Sequence, residues 1–286
     1  MRVSSCIVKI MNNTTLTFIG GGNMAASLIG GLIADGWDPA RIRVADNSPE
    51  RLQQLSQQFP ISTSTDNRDA ADQTDIIVLA VKPQVMKSVA LELASLVARQ
   101  HPLVISIAAG ISAGALGNWL GKSTAIVRTM PNTPAMVQSG ATALYANKHV
   151  SEEQRSIAES ILRAVGVAIW VEDEAQMDAV TALSGSGPAY FFLFMEALQA
   201  AGVELGLPQE TARLLALQTA FGAAKMALES NEDAATLRHQ VTSPGGTTEH
   251  AIRTFQEGAL ETLVSKALLA AAKRSRELAT EFGSNS

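Results

Sequence analysis

The sequence predicts an α/β chain in two parts: an N-terminal, Rossmann-type doubly wound domain over residues 14–173 and an all-helical C-terminal domain over residues 174–286. Three observations carry that expectation. From Leu16 to about Val171, short apolar runs alternate with helical patterns, the βαβ grammar of a parallel sheet. After Glu172-Asp173-Glu174 the strand signals stop and long Ala- and Leu-rich helical patterns take over. Where the first apolar run ends, Gly20-Gly21-Gly22 punctuates the turn into the first helix.

Strands are expected at Leu16–Ile19, Ile42–Ala45, Ile76–Val81, Leu103–Ile107, Ala125–Arg128 and Ala168–Val171. The glycines after the first strand allow a tight turn and a close approach of backbone amides to a pyrophosphate at a helix N-terminus. Ile19-Gly20-Gly21-Gly22-Asn23-Met24-Ala25 therefore fits a dinucleotide fingerprint, with Ala25 in its third position and a purely structural turn as the alternative. Asp46 closes the second strand, where a carboxylate accepts hydrogen bonds from the adenosine ribose and repels a 2′-phosphate, which argues for NADH. Asn47, Ser48, Arg51 and Asn67 are neutral or basic donors near the same edge and argue for NADPH. Lys82-Pro83 ends another strand and Ala108-Ala109-Gly110 follows the next, at the C-terminal edge of the sheet where ligands of such folds collect. Each could also be an ordinary turn, and Asn132 is a turn former by type.

In the second part, helical patterns are broken by Gly185–Pro188, Gly206–Pro208 and Pro244–Gly246. Leu214, Leu217, Gln218, Phe221 and Ala224 leave one of these helices little polar face. That predicts subunit association through the helices rather than a tight monomeric bundle. Val241 to Ile252 reads VTSPGGTTEHAI: Pro244 and two glycines mark a turn, Thr247 suits an N-cap, and Ala251, Ile252, Phe255 and Ala259 recur at helical spacing. The first amides of that helix lack intrahelical acceptors and can hold a carboxylate, with two threonine hydroxyls beside them as further donors. A capped loop without a ligand is the plainer alternative.

Composition narrows the classes. The chain has 286 residues, 47% of them apolar and 17% charged, as a globular protein has. Its net charge of −5 gives no electrostatic reason to expect nucleic acid or an anionic membrane as partner. Cys6 is the only cysteine, so an internal disulfide is impossible and a cytoplasmic location is expected. No uncharged stretch reaches the length of a membrane span: Ala189 to Leu207 comes nearest and is interrupted by Glu196, Gln199 and Glu204. Met11 leaves open that the first ten residues are dispensable. The four histidines lack metal-ligand spacing. Ser186, His250 and Asp178 have the residue types of a hydrolytic triad, but Ser184-Gly185-Ser186-Gly187 is not a nucleophile elbow.

Six motifs, in one order, resemble those of the pyrroline-5-carboxylate reductases: IGGGNMA at Ile19–Ala25, AVKPQ at Ala80–Gln84, ISIAAGI at Ile105–Ile111, MPNTP at Met130–Pro134, SGSGPAY at Ser184–Tyr190, and the stretch from Leu237 to Ile252. The resemblance runs from about Leu16 to about Leu278 and implies reduction of the cyclic imine 1-pyrroline-5-carboxylate to L-proline by NAD(P)H. It implies NADPH as cofactor with NADH usable, held by Ile19, Gly20, Gly21, Gly22, Asn23, Met24, Asp46, Asn47, Asn67, Ala80, Val81, Lys82, Pro83, Ala108, Ala109 and Asn132. It places Glu174, Gln240, Ser243, Gly246, Thr247 and Thr248 at the substrate, with the Thr248 hydroxyl at the imine nitrogen as the catalytic position. Homo-oligomers through the C-terminal helices also follow from it. The competing readings are a 3-hydroxyacid-type dehydrogenase, whose basic residue would have to be Lys225, and a dinucleotide-sensing protein without turnover.

Overall fold

The computed structural model describes residues 14–283; Cys6 and the question of the first ten residues lie outside them. The described residues form two compact units. One runs up to Ser186 and also includes the chain from Ala271 onward; the other is Gly187–Ala270. These limits differ from the expected division at 173/174, because residues 174–186 and the end of the last helix pack with the sheet.

In chain order the first unit contains β1 (Leu16–Ile19), α1 (Asn23–Ala34), β2 (Ile42–Ala45), α2 (Pro49–Gln58), β3 (Ser62–Ser64), α3 (Asn67–Ala71), β4 (Ile76–Leu79) and α4 (Pro83–Gln100). There follow β5 (Leu103–Ser106), α5 (Ala113–Leu120), β6 (Ile126–Met130), β7 (Gly140–Ala146), α6 (Glu152–Arg163), β8 (Gly166–Trp170) and α7 (Gln176–Val180). The strands make one eight-stranded sheet in the order β3-β2-β1-β4-β5-β6-β7-β8. All neighbours are parallel except β6 and β7. After β1 the chain moves out to β2 and β3, then crosses back to β4 on the other side of β1, which creates a switch point at the C-terminal edge of β1 and β4.

Side chains alternate between the two faces with the period of two that a pleated strand imposes. Phe18, Val44, Val78 and Ile105 pack with Leu28, Ile29, Leu55 and Ile161 on one face. Ile19, Ile77, Leu79 and Val104 pack with Met86, Ala90, Leu93 and Leu116 on the other. Each of the larger side chains among these, Val, Leu, Ile, Phe or Met, contributes about 1.5–3 kcal/mol on full burial. Two strands escaped the sequence reading. β3 is Ser-Thr-Ser at the sheet edge, with no apolar signal, and β7, Gly-Ala-Thr-Ala-Leu-Tyr-Ala, is mostly small residues. Its antiparallel pairing with β6 departs from the expected all-parallel pattern.

Where the helical pattern is broken at Gly185–Pro188, the chain enters the break through a π-helical turn over Thr181–Gly185, closed by the Ser186 N–H donating to the Thr181 carbonyl at 2.8 Å. The second unit is helical: α8 (Gly187–Glu204), α9 (Gln209–Glu229), α10 (Ala234–Gln240), α11 (Thr247–Glu257) and the first part of α12 (Leu260–Gly283). Within Gly187–Ala270 only Gly187, Ala212 and Ala216 are buried. The last turns of α12 belong to the first unit, where the Ser275 hydroxyl donates to Asp178 Oδ1 at 2.7 Å and Phe282 packs against the core.

Candidate functional site

At the switch point Gly20, Gly22, Asp46, Asn47, Asn67, Ala80, Val81 and Lys82 line one cleft of about 570 Å³, together with Ala45, Val85, Ser88 and Val89. Its size suits a small-molecule or cofactor site. Gly20 has φ +101°, and a Cβ there would stand 2.6 Å from the Ala80 carbonyl oxygen, so only glycine fits between β1 and β4. Its N–H donates to the Ala45 carbonyl at 2.7 Å. Gly22 precedes α1 without any side-chain cap, and a Cβ on it would meet nothing within 4 Å. The N-terminus of α1 thus keeps its unpaired amides and an open side, the arrangement a pyrophosphate needs.

Asp46 lines the cleft, but its carboxylate also braces the turn: Oδ2 accepts the Gly21 N–H at 2.7 Å and Oδ1 the Ser48 N–H at 2.9 Å. Asn67 donates to Glu92 Oε2 at 3.0 Å. Other expected cofactor residues stand outside the lining. Ile19 is buried in the core on one face of the sheet, Met24 packs against the core on the other face, and Pro83 opens α4. Asn23 Oδ1 accepts from Arg51 at 2.8 Å. Ala108 is buried and Ala109 half-buried after β5. The side-chain amide of Asn132 joins three segments: it donates to the carbonyl and hydroxyl oxygens of Ser184 at 3.2 Å and accepts the Ala141 N–H at 2.9 Å. Ala45, at the end of β2, and Val85, Ser88 and Val89 were missed. The i, i+3, i+4 spacing that follows Lys82-Pro83 marks one face of α4 and was the signal that could have found Val85, Ser88 and Val89.

Glu174 is occupied within the first unit. Its Oε1 accepts the Ala113 N–H at 2.7 Å and forms an ion pair with Arg128 Nη1 at 2.9 Å, with the Arg128 side chain only 7% exposed. A buried cation needs such a partner.

In the second unit the expected helix does start in the Pro-Gly-Gly-Thr-Thr stretch, with one correction. The N-cap is Gly246, which supplies no side-chain cap, and Thr247 is the first helical residue. Gly245 adopts φ +73°, and the Gly246 N–H closes the turn on the Ser243 carbonyl at 3.0 Å. Glu249 reaches back to accept the Gly245 N–H at 2.7 Å, so one carboxylate already sits near this helix end. The first amides of α11 have no intrahelical acceptor. Thr248 is half-buried, Thr247 and Ser243 are exposed, and Gln240 is exposed at the end of α10.

Residues 174–278 match the family model described as pyrroline-5-carboxylate reductase dimerisation, and residues 15–110 match one described as NADP oxidoreductase coenzyme F420-dependent. A pyrroline-5-carboxylate reductase of Pseudomonas aeruginosa is 52% identical over 273 residues, 96% of this chain and the whole of that protein. The chain belongs to the pyrroline-5-carboxylate reductase family. A solved family structure from Coxiella burnetii shares 51% identity at a TM-score of 0.90, covering 93% of this chain and 99% of that one. The Plasmodium falciparum enzyme, solved with NADP bound, shares 31% identity at a TM-score of 0.83, covering 94% of this chain and 99% of that one. The fold class expected from the sequence therefore holds, and the family is an oxidoreductase family. Among the described residues no helix is long and apolar enough to cross a membrane.

Proposed function

We propose that this chain is a pyrroline-5-carboxylate reductase of proline biosynthesis, reducing the imine of 1-pyrroline-5-carboxylate to L-proline with NADPH, NADH being usable. The observation that carries this is the glycine-turn cleft in a chain 52% identical, over 96% of its length, to a protein of that name. When bound, the reduced nicotinamide supplies a hydride to the imine carbon, and a proton completes the new N–H bond.

The chain's own residues bind and orient. The open amides of α1 and the Gly20–Gly22 turn receive the pyrophosphate, while Asp46, Asn47 and Asn67 face the adenosine ribose side. The amides at the start of α11 hold the substrate carboxylate, with Ser243, Thr247 and Gln240 completing the pocket. The Thr248 hydroxyl hydrogen-bonds the ring nitrogen; it is too weak an acid to act as a strong proton donor and serves to orient. Glu174 acts by keeping Arg128 and the start of α5 in place. The helices from residue 174 onward join copies of the chain into a homo-oligomer, supported by the dimerisation-model match and the exposed apolar helices. A cytoplasmic location fits a chain with a single cysteine.

The test is direct. Purified protein given pyrroline-5-carboxylate and NADPH labelled at the transferring position should deliver the label to proline. Loss of NADPH absorbance with a 3-hydroxyacid precursor but not with the imine would overturn the assignment, and binding of NADPH without turnover would leave only a sensor.

A further inference from the structure

Arg51 lies in the first turn of α2, beside the adenosine edge of the cleft, where an arginine invites the role of 2′-phosphate reader. The geometry points elsewhere. Its Nε donates to the Gly21 carbonyl at 2.6 Å, Nη2 to Asn23 Oδ1 at 2.8 Å and Nη1 to Gln54 Oε1 at 3.3 Å. Arg51 is not among the residues lining the cleft that Asp46, Asn47 and Asn67 share. On its other side, Gly21 donates its N–H to Asp46 Oδ2 at 2.7 Å. Both backbone polar groups of one glycine are thus held by side chains of opposite charge, Asp46 from the β2–α2 connection and Arg51 from the first turn of α2.

The consequence follows from peptide geometry. The Gly21 carbonyl and the Gly22 N–H belong to the same planar trans peptide and point in opposite directions. A charged donor on that carbonyl fixes the plane and polarises the group, which strengthens the N–H at the far end. That N–H belongs to Gly22, which lines the cleft, carries no cap and borders open space. We propose that Arg51 is a positioning residue that aims and polarises the Gly22 amide toward the cofactor pyrophosphate, a feature shared by NADPH and NADH, and that it takes no part in choosing between them. The proposal rests on the dinucleotide reading of the cleft.

Binding titrations of NADPH and of NADH, followed by the fluorescence of the reduced nicotinamide, test it apart from turnover. Arg51→Met should weaken both cofactors by the same factor, about ten-fold for the loss of a charge-assisted hydrogen bond. At saturating cofactor, kcat and the KM for the imine should be unchanged. Arg51→Lys should restore little, because an ammonium cannot span the Gly21 carbonyl and Asn23 Oδ1 as a planar fork does. Weakening of NADPH alone would make Arg51 a 2′-phosphate reader and overturn the proposal. So would unchanged affinities in both variants, or full rescue by lysine. If the unaltered protein bound neither cofactor, the failure would lie in the dinucleotide reading itself.

Discussion

The two units of this chain treat apolar side chains in opposite ways. In the sheet unit Phe18, Ile77, Leu79 and Ile105 are fully buried, and the helices on both faces turn their apolar stripes inward. In the helical unit Phe191, Phe192, Leu193, Leu214 and Phe221 are each more than 60% exposed. Its buried part amounts to small residues where α8 and α9 meet, such as Ala212 against Gly202, while the tilted ring pair of Phe194 and Phe255 at 5.9 Å is itself exposed. Apolar surface on that scale marks an interaction site. One unit satisfies its burial within a single chain, whereas the other leaves large apolar side chains uncovered, the surface that the proposed association with a second copy would cover.

The strongest attempt to break that contrast is Phe221→Asp. If a second copy covers this face, the substitution buries an unpaired carboxylate, which weakens association by several kcal/mol. Light scattering should then report a monomer where the unaltered protein is an oligomer. If Phe221 stays in water, the change should lie within about 0.5 kcal/mol and leave the mass unaltered. Leu79→Ala probes the other side of the contrast: a loss of about 2–5 kcal/mol is expected, seen as a fall in Tm independent of protein concentration. A concentration-dependent fall would show that the sheet core also depends on assembly.

Thr248→Val sharpens the contrast in function. It should lower kcat/KM by roughly 10- to 150-fold, the equivalent of about 1.5–3 kcal/mol, while NADPH affinity in the sheet unit hardly changes. Thr247→Val should raise the KM for the imine and leave kcat near normal, and a Thr248→Val variant with unchanged kcat/KM would remove the catalytic assignment.

The smallest effect concerns Glu159. Partial burial raises its pKa, but the hydrogen bonds from Trp170 Nε1 and Arg163, with the charges of Arg163 and Arg155, outweigh that and hold it below the ordinary glutamate value. Its contribution is present above the unfolded-state pKa and fades as the pH falls through the folded one. Glu159→Gln should therefore narrow the stability gap to the unaltered protein at acid pH, and a gap constant from pH 7 to pH 3 would contradict this.

The glycine triplet after an apolar run, the strand-end Asp46 and the Pro-Gly-Gly-Thr-Thr helix start were legible because each rests on local chemistry: a turn, a strand end, an unpaired helix terminus. β3 was not legible, since Ser62-Thr63-Ser64 gains its strand only by pairing with β2, and β7 hides behind small residues that pack against a neighbour. Thr247 was read as the cap by residue type, but Gly246 takes that place, because backbone conformation decides where a helix begins.

By itself the sequence determined the fold class, the family and the positions of the glycine turn and the threonine pair, since periodicity and turn chemistry are encoded locally. The tertiary structure alone decided which groups those positions could still offer a ligand. Asp46 and Arg51 are drawn onto Gly21, and Glu174 onto Arg128. Charges distant in sequence meet only after folding, and half-buried ones must find partners when they do.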